Sequence, residues 1–266
     1  MIVIKLGGSV VEGLHSSILD DFAELYKTEK IVVVHGGGKD VTNVATQMGK
    51  EQKFIVSPEG KRSRYTDKET SMIFTMVMSG KISKNITAML SSKGILSVGI
   101  TGIDGETIRA IRKEKLVILN EKGRKMIIDG GYTGKVSDVN PKLINVLLDS
   151  GYLPVISPIA LGEGYEFLNI DGDRAAANIA GALKSNIVVF ITNVSGLMME
   201  ERLINSLTLD EATKLLPKIG PGMEKKVLAS TEALTLGVKK AIIASGSVKN
   251  PILSALAHDN CTVIMK

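Results

Sequence analysis

Two short stretches near the start of the chain decide its fold: residues 2–9 read IVIKLGGS and residues 31–38 read IVVVHGGG. Each stretch begins with a run of Val and Ile, which is typical of a strand buried on both faces of a parallel sheet. Each run ends at glycines, and an amphipathic segment follows at residues 17–27 and 39–48. Strand, glycine turn and helix therefore occur twice within fifty residues. This order predicts an α/β fold with a mostly parallel central sheet.

The same alternation continues to the end of the chain. Further strands are predicted at residues 96–100, 153–157, 166–170, 187–192, 240–244 and 261–265. Further helices are predicted at residues 67–79, 83–92, 141–149, 172–183, 209–216, 222–236 and 251–257. Residues 116–119 and 126–128 flank a turn with Gly123 and predict a hairpin. Since no repeat or flexible linker divides the pattern, we expect one continuous domain whose two lobes comprise residues 1–184 and 185–266.

The composition is that of a globular protein, with 44% hydrophobic and 23% charged residues among 266. A single cysteine, Cys261, excludes an internal disulfide, and the three histidines lack the spacing of a metal site. No apolar run approaches the roughly 20 residues of a membrane-spanning helix, and the first residues lack a signal-peptide pattern. We therefore expect a cytoplasmic protein without a membrane partner.

A modest positive charge favours an anionic partner. The chain has 33 Lys and Arg against 28 Asp and Glu, a net charge of +5. Aromatic residues make up 4% and Trp is absent, so the stacking side chains of single-strand binders are scarce. We expect no nucleic-acid partner. The net charge suits either an anionic small molecule or an acidic protein and does not choose between them.

The two glycine stretches predict an anion site. Gly7, Gly8 and residues 36–38 follow predicted parallel strands, and ligands of open α/β sheets bind at that edge. Glycine lets the backbone approach a phosphate, and a helix N-terminus supplies free N–H groups. One such pair could simply make a tight turn, but two together favour anion binding. Neither stretch is a Walker loop, and no dinucleotide-binding Gly-x-Gly-x-x-Gly opens the first helix.

Four charged positions could complete this site. Lys5 lies in an apolar strand, so its ammonium should reach an anion at the sheet edge rather than snorkel to the surface. Lys226 follows Gly222 in the first turn of a helix, where a cation needs a neutralising anion; a solvated basic helix face is an equal alternative. Arg64 could hold a carboxylate or be an exposed loop arginine. Asp173 could organise lysines.

Asp171, two residues before Asp173, is best interpreted as a helix cap. A calcium-type turn formed by the two aspartates is the alternative. The sequence offers no Ser/His/Asp or Cys/His set that would activate a nucleophile. A carboxylate nucleophile needs none, because it is already ionised at pH 7 (free Glu has a pKa of about 4.3). Its phosphorylation requires alignment and cations on the migrating phosphoryl group.

Six motifs, taken in order, resemble the amino-acid kinase family and within it the acetylglutamate kinases. They are residues 5–9 (KLGGS), 35–38 (HGGG), 64–67 (RYTD), 169–173 (NIDGD), 192–196 (TNVSG) and 222–226 (GMEKK). Residues 63–70 (SRYTDKET) and 219–226 (IGPGMEKK) look most like the archaeal kinases that act on a carrier protein. Those enzymes phosphorylate 2-aminoadipate or glutamate joined through its amino group to the acidic carrier LysW.

The resemblance implies a three-layer αβα sandwich, a homodimer, and the use of ATP with Mg²⁺ held by phosphates and water. The first lobe would bind the acyl acceptor and the second ATP. Lys5 and Lys226 would stabilise the transferring phosphoryl group, and Asp173 would orient both lysines. Substrate binding is implied for Gly37, Gly38, Arg64 and Asn169. Nucleotide binding is implied for Gly7, Gly8, Asn193, Ser195, Gly196, Leu197, Gly220 and Gly222, although acetylglutamate kinases usually have Asp where Asn193 stands.

The leading hypothesis is therefore a carboxylate kinase of lysine biosynthesis, and of arginine biosynthesis as well, acting on carrier-linked aminoadipate or glutamate. Basic residues that would suit an acidic carrier are Lys50, Lys53, Lys61 and Arg62, with an ordinary solvated surface as an equal alternative. Two other functions stay open: a kinase of free N-acetylglutamate, and a nucleotide-binding protein without turnover. The second is disfavoured because a sensor has no need of two lysines and Asp173 together.

Overall fold

The computed structural model describes residues 1–58, 60 and 62–266. The strands are β1 (Ile2–Leu6), β2 (Ile31–His35), β3 (Phe54–Val56), β4 (Arg62–Arg64), β5 (Ser97–Thr101), β6 (Ile108–Arg112), β7 (Lys115–Leu119), β8 (Lys125–Asp129), β9 (Gly134–Val139), β10 (Leu153–Ser157), β11 (Ile159–Leu161), β12 (Phe167–Asn169), β13 (Ile187–Thr192), β14 (Met198–Met199), β15 (Arg202–Leu203), β16 (Ser206–Thr208), β17 (Lys240–Ser245) and β18 (Cys261–Met265). The helices are α1 (Gly8–Glu12), α2 (Ser16–Tyr26), α3 (Gly38–Gln47), α4 (Lys68–Thr75), α5 (Ser83–Ser91), α6 (Lys142–Asp149), α7 (Gly172–Ala182), α8 (Leu209–Leu215), α9 (Met223–Thr235) and α10 (Pro251–Leu256).

The central sheet has eight strands in the order β16-β18-β17-β13-β1-β2-β10-β5. The six strands from β17 to β5 run parallel, while β18 is antiparallel to β17. The Val- and Ile-rich strands β1 and β2 are buried along their whole length at the middle of the sheet. Their apolar runs therefore have the two-sided burial that the sequence predicts, and the mostly parallel sheet is confirmed.

Helices cover both faces of this sheet and make two cores. Side chains alternate along β1, so that Ile4 faces one core and Val3 the other. The first core is covered by α2, α3, α4, α5 and α10, and the second by α6, α7, α8 and α9. Four alanines of α7, Ala175, Ala176, Ala177 and Ala180, are fully buried and let that helix lie close to the sheet. The three-layer αβα sandwich is confirmed.

A smaller sheet, in the order β12-β11-β6-β9, stands beside the main one and is largely absent from the sequence prediction. Only β12 was expected, as residues 166–170. The predicted hairpin is confirmed as β7 and β8, with Gly123 at φ 71° in its turn. Two further hairpins, β3–β4 and β14–β15, were not predicted.

The helix predicted at residues 67–79 differs from the structure at its end. α4 stops at Thr75 and continues without a break as a π-helical segment, Met76–Ile82, which leads into α5. The glycine turn after β1 is also more ordered than expected, because α1 begins at Gly8. Among the described residues, no helix combines the length and apolarity needed to cross a bilayer.

Candidate active site

Both glycine stretches lie at the carboxyl edge of the central sheet and contact each other. The Gly36 N–H donates to Leu6 O at 2.8 Å, which ties the end of β2 to the end of β1. A Cβ placed on Gly36 would lie 2.8 Å from Gly8 N, and one on Gly8 would lie 3.2 Å from Gly37 N. Side chains larger than glycine do not fit between the two loops. Because the two loops approach so closely, backbone atoms of both loops border the same small volume.

Three charged side chains meet at this edge. Lys5 Nζ lies 2.6 Å from Asp173 Oδ1, and Lys226 Nζ lies 3.5 Å from Asp173 Oδ2. Lys5 comes from β1, Asp173 from the first turn of α7 and Lys226 from the first turn of α9. The side chains are only 10%, 7% and 15% exposed. Lys5 is thus no snorkelling surface lysine, and Lys226 does not belong to a solvated helix face.

The charges of this trio depend on one another. Burial alone would raise the pKa of Asp173, but Lys5 and then Lys226 outweigh it, so the pKa is held below its ordinary value. Asp173 is therefore ionised at neutral pH. Its negative charge offsets the unfavourable interaction between Lys226 and the positive N-terminal end of α9. With two cations and one anion, the trio keeps one net positive charge for a ligand.

Asp171 caps α7, as the sequence analysis expected. Its carboxylate accepts from the N–H groups of Asp173 and Arg174 at 3.0 and 3.2 Å. In the described part of the chain, no group of three His, Cys, Asp or Glu side chains is placed to hold a metal ion. The cap fixes the start of α7 and thereby the position of Asp173.

A cavity of about 730 Å³ opens next to Lys5 and the Gly36–Gly38 loop. Its apolar wall is formed by Phe54, Ile55, Phe74, Met78, Leu116, Val117 and Ile118. The charged residues that line it are Lys5, Arg62, Arg64, Lys113, Lys135, Arg174, Lys225, Asp171 and Glu224. Cations outnumber anions, so the cavity suits an anionic ligand with an apolar portion.

Arg64 and Asn169 line this cavity together with Gly37 and Gly38. Arg64 donates to Gly38 O at 2.6 Å and to Thr42 Oγ1 at 2.8 Å, and it also donates to Gln52 Oε1. Arg64 is therefore not the exposed loop arginine that the sequence left as an alternative. Its guanidinium group is half-buried, and this burial lowers the pKa of Arg64. Asn169, at the end of β12, donates through its side-chain amide to Thr66 Oγ1 at 3.1 Å. The structure brings the four predicted substrate residues together.

Of the eight residues predicted to bind the nucleotide, Gly7 and Gly8 lie against the Gly36–Gly38 loop, whereas the other six lie elsewhere. Asn193, Ser195, Gly196 and Leu197 follow β13, which flanks β1 on the side opposite to β2. Gly220 and Gly222 precede α9, with Gly222 at φ 90°, a conformation that favours glycine. None of these six residues lines the cavity of about 730 Å³. The sheet order thus puts the trio between two regions, one near β2 and one near β13.

Three positively charged residues that line the cavity were not predicted from the sequence: Lys113, Lys135 and Arg174. Lys135 belongs to β9 and Lys113 directly follows β6; since this strand pair was not predicted, no motif marked either lysine. Arg174 could have been suspected from its place directly after Asp173. It makes a two-point ion pair with Glu232 of α9, at 2.8 and 3.0 Å, and so joins the two helices that carry Asp173 and Lys226.

Comparison with known proteins agrees with this geometry. The sequence profile described as "Amino acid kinase family" matches residues 1–245. The chain belongs to the amino acid kinase family. This amino acid kinase is 60% identical to a Nitrosopumilus maritimus protein, over 99% of both chains. It is 46% identical to the LysW-aminoadipate/LysW-glutamate kinase of Saccharolobus solfataricus, again over 99% of both chains.

Solved structures share the fold of this amino acid kinase at low sequence identity. The protein smu.665 from Streptococcus mutans superposes with a TM-score of 0.80 and 21% identity, covering 99% of this chain and 98% of that one. Carbamate kinase from Giardia lamblia bound to AMP-PNP superposes with a TM-score of 0.69 and 16% identity, covering 100% and 98%. At these identities the likeness shows the fold alone.

Proposed function

We propose that this amino acid kinase transfers the γ-phosphoryl group of ATP to the side-chain carboxylate of 2-aminoadipate, or of glutamate, linked through its amino group to the carrier protein LysW. The product is an acyl phosphate in lysine biosynthesis and, with glutamate, in arginine biosynthesis. One observation carries the proposal: the buried trio of Lys5, Asp173 and Lys226 lies at the carboxyl edge of the sheet, where Lys5 also lines a cavity with more cations than anions. The named relatives support the choice of acceptor.

In the proposed reaction an acceptor carboxylate oxygen attacks the γ-phosphorus, and the bond from that phosphorus to the β,γ-bridging oxygen breaks. ADP leaves with the bond electrons, and no proton moves because the carboxylate is already ionised. Lys5 and Lys226 stabilise the charge that spreads over the phosphoryl oxygens, and Asp173 holds both ammonium groups before the substrate arrives. The N–H groups of Gly7 and Gly36 already donate to Ile191 O and Leu6 O, so those of Gly8, Gly37 and Gly38 would be the glycine-loop donors to the same oxygens.

The site also fits the metal that accompanies ATP. Both oxygens of Asp173 are engaged by lysines, so this carboxylate is not free as a metal ligand. Mg²⁺ would instead be held by phosphate oxygens and water and would neutralise part of the phosphate charge. Residues 193–197, Gly220 and Gly222 would contact the nucleotide, since they lie on the β13 side of the trio.

On the acceptor side, Arg64 would hold the α-carboxylate of the amino acid and Asn169 its amide. The N–H groups of Gly37 and Gly38 would act at the reacting end of the substrate, on the oxygens of the phosphoryl group that the carboxylate receives. The cavity's apolar wall suits the methylene chain of the substrate. Because one methylene is worth only about 1–3 kcal/mol, these contacts allow both glutamate and aminoadipate.

An acidic carrier would dock beside this cavity. Arg62 lines the cavity and stacks on Phe54, with 4.1 Å between its guanidinium carbon and the ring centre. Lys53 is exposed, whereas Lys50 is already neutralised by Asp67 and Glu69 at 2.9 and 2.7 Å. Lys61 lies outside the described residues. The carrier proposal therefore rests on Arg62 and Lys53 and the cavity cations rather than on Lys50.

Trapping of the acyl phosphate as a hydroxamate tests the proposal. We would compare carrier-linked aminoadipate, carrier-linked glutamate and free N-acetylglutamate as acceptors with ATP and Mg²⁺. We expect turnover with the carrier-linked acceptors, and their ratio assigns the pathway. Turnover with free N-acetylglutamate alone would make the chain a kinase of the free amino acid. No turnover with any acceptor, while ATP still binds, would identify a nucleotide-binding protein instead.

Three further parts of the proposal are a homodimer, which the family resemblance implies, a cytoplasmic location, and a division into an acceptor lobe (residues 1–184) and a nucleotide lobe (residues 185–266). Light scattering distinguishes a dimer from a monomer of 28.4 kDa. Protection of amides from hydrogen exchange by ATP alone tests the lobes, because it should concentrate after residue 184.

A further inference from the structure

His35 is a buried titratable side chain that the proposed chemistry does not use. It is the last residue of β2, pairs with Leu6 of β1 and directly precedes the Gly36–Gly38 loop. Its side chain is completely buried. A fully buried imidazole at the start of a phosphate-binding loop requires partners for both ring nitrogens.

Both ring nitrogens have such partners. Nδ1 lies 3.1 Å from Gly36 O, and Nε2 lies 2.9 Å from the hydroxyl of Ser157 at the end of β10. A carbonyl oxygen can only accept, so Nδ1 must carry the proton of this contact. Burial, together with the smaller effect of the Lys5 charge, lowers the pKa of His35 to about 4 despite the Gly36 contact. The ring is therefore neutral at physiological pH, and Nε2 accepts from the Ser157 hydroxyl.

The alternative tautomer explains the contacts less well. Ser157 Oγ also lies 3.2 Å from Met78 O, so its hydroxyl could turn toward that carbonyl. Nε2 would then have to donate to Ser157, and Nδ1 would be left without a proton opposite Gly36 O. Two acceptors would face each other at 3.1 Å in a dry interior, which is unfavourable. The Nδ1-protonated ring avoids this.

The contact with Gly36 O fixes the orientation of the peptide that follows. The peptide bond between Gly36 and Gly37 is trans, so the Gly36 C=O and the Gly37 N–H point in opposite directions. With the carbonyl held by His35, the N–H is turned away from the ring. Gly37 N lies 3.2 Å from the position that a Cβ on Gly8 would occupy, so this N–H lies where the two glycine loops face each other.

We infer that His35 is a positioning residue: its Nδ1–H holds the Gly36–Gly37 peptide so that the Gly37 N–H is aimed at the transferred phosphoryl group, and Ser157 keeps the ring in that orientation. The inference rests on the proposed function, because it assigns the Gly37 N–H a phosphoryl oxygen as its partner. The ring itself does not touch the substrate.

A matched pair of variants tests this inference. In His35→Asn the amide nitrogen can take the place of Nδ1, whereas in His35→Gln it can take only the place of Nε2. We expect kcat of H35N to stay within about threefold of the natural protein. In H35Q the Gly37 N–H would be misplaced as a transition-state donor, so kcat should fall on the order of tenfold or more. The acceptor KM should change little in either. Equal kcat values at equal melting temperatures, or a more active H35Q, would overturn the inference.

Two measurements keep the test decisive if a His35 variant does not fold. Ser157→Ala should lower kcat by about threefold or more, because the ring loses the partner that orients it; an unchanged kcat contradicts the inference. ¹⁵N spectra of the unmodified protein should show a neutral His35 ring protonated at Nδ1 from pH 5 to 8. A ring protonated at Nε2 would refute the inference even if no acceptor is turned over, whereas an inactive enzyme with the expected ring would refute only the proposed function.

Discussion

Two lysine–aspartate pairs in this protein have the same length and very different surroundings. Lys5 Nζ lies 2.6 Å from Asp173 Oδ1 in the buried trio, and Lys93 Nζ lies 2.6 Å from Asp20 Oδ1 at the surface. The first pair is about 10% exposed, whereas the side chains of the second are 33% and 54% exposed. Water screens the surface pair and competes for its hydrogen bonds, so burial rather than distance decides what each pair contributes.

The largest effect is expected from Asp173→Asn. Without the carboxylate, two buried ammonium groups repel each other, and loss of one partner of a buried ion pair costs about 3–5 kcal/mol. The free energy of unfolding in urea should fall by this amount at pH 7. Asp20→Asn is the matched control at the same distance, and an equal loss in both variants would contradict the role of burial.

The pH dependence of this difference has a definite sign. Because the pKa of Asp173 is lowered by folding, its stabilising contribution is complete above the ordinary value of 3.8 and is lost as the pH falls through the lower folded pKa. The gap in unfolding free energy between the natural protein and D173N should therefore stay constant from pH 8 to 5. A gap that shrinks within this range would mean that Asp173 is not held ionised by its lysines.

Lys226→Ala should change the rate more than binding. The side chain is buried beside Asp173 but is proposed to meet the phosphoryl group only as charge develops, so kcat should fall by about 10²- to 10³-fold with little change in ATP affinity. Steady-state kinetics and calorimetry separate the two. Lys27→Ala, which breaks an exposed pair with Glu24 at 2.7 Å, serves as the control. An unchanged kcat in K226A would remove this lysine from the mechanism.

Arg64 represents a third situation, a half-buried cation whose partners among the described residues are all neutral. Its charge is therefore available to an anionic acceptor. Arg64→Ala should raise the acceptor KM about ten- to a hundredfold with a smaller change in kcat. Arg64→Lys should recover part of the loss. If the acceptor KM of R64A equals that of the natural protein, the carboxylate contact is wrong.

The smallest effect is expected at the surface pair. Lys93→Ala should cost about 0.2–1 kcal/mol of unfolding free energy, and raising the salt concentration should abolish even that difference. The same salt series should leave the D173N difference nearly intact. A strong salt dependence of the buried pair would mean that water reaches it.

The parts of the fold that the sequence predicts well are those buried on both sides. β13 and β18 occupy the predicted residues, because a Val- and Ile-rich run bounded by polar residues has few other interpretations. β6 (IRAIR) and β9 (GKVSDV) were missed because they are short, carry charges and include a register shift between Arg109 and Ala110. The π-helical segment at Met76–Ile82 has no sequence signal of its own.

The same division holds for the candidate site. Lys5 and Asp173 stood out because a charge in or next to a buried strand needs a partner, and the structure supplies that partner. Lys113 and Lys135 did not stand out, because their proximity to the cavity depends on how a second sheet packs against the first. Long-range placement of this kind leaves no local pattern in the sequence.

The central place of β1 sets the order in which the protein can be built. β1 lies between β2, which follows it closely in the chain, and β13, which ends only at Thr192. A growing chain therefore presents one open, Val- and Ile-rich strand edge until about three quarters of it has left the ribosome, and such edges pair with other chains. Closing the sheet is a late, non-local step and hence a slow one. A chain that stops at residue 184 lacks β13 and leaves that edge open, so we expect it to aggregate more readily than the full chain.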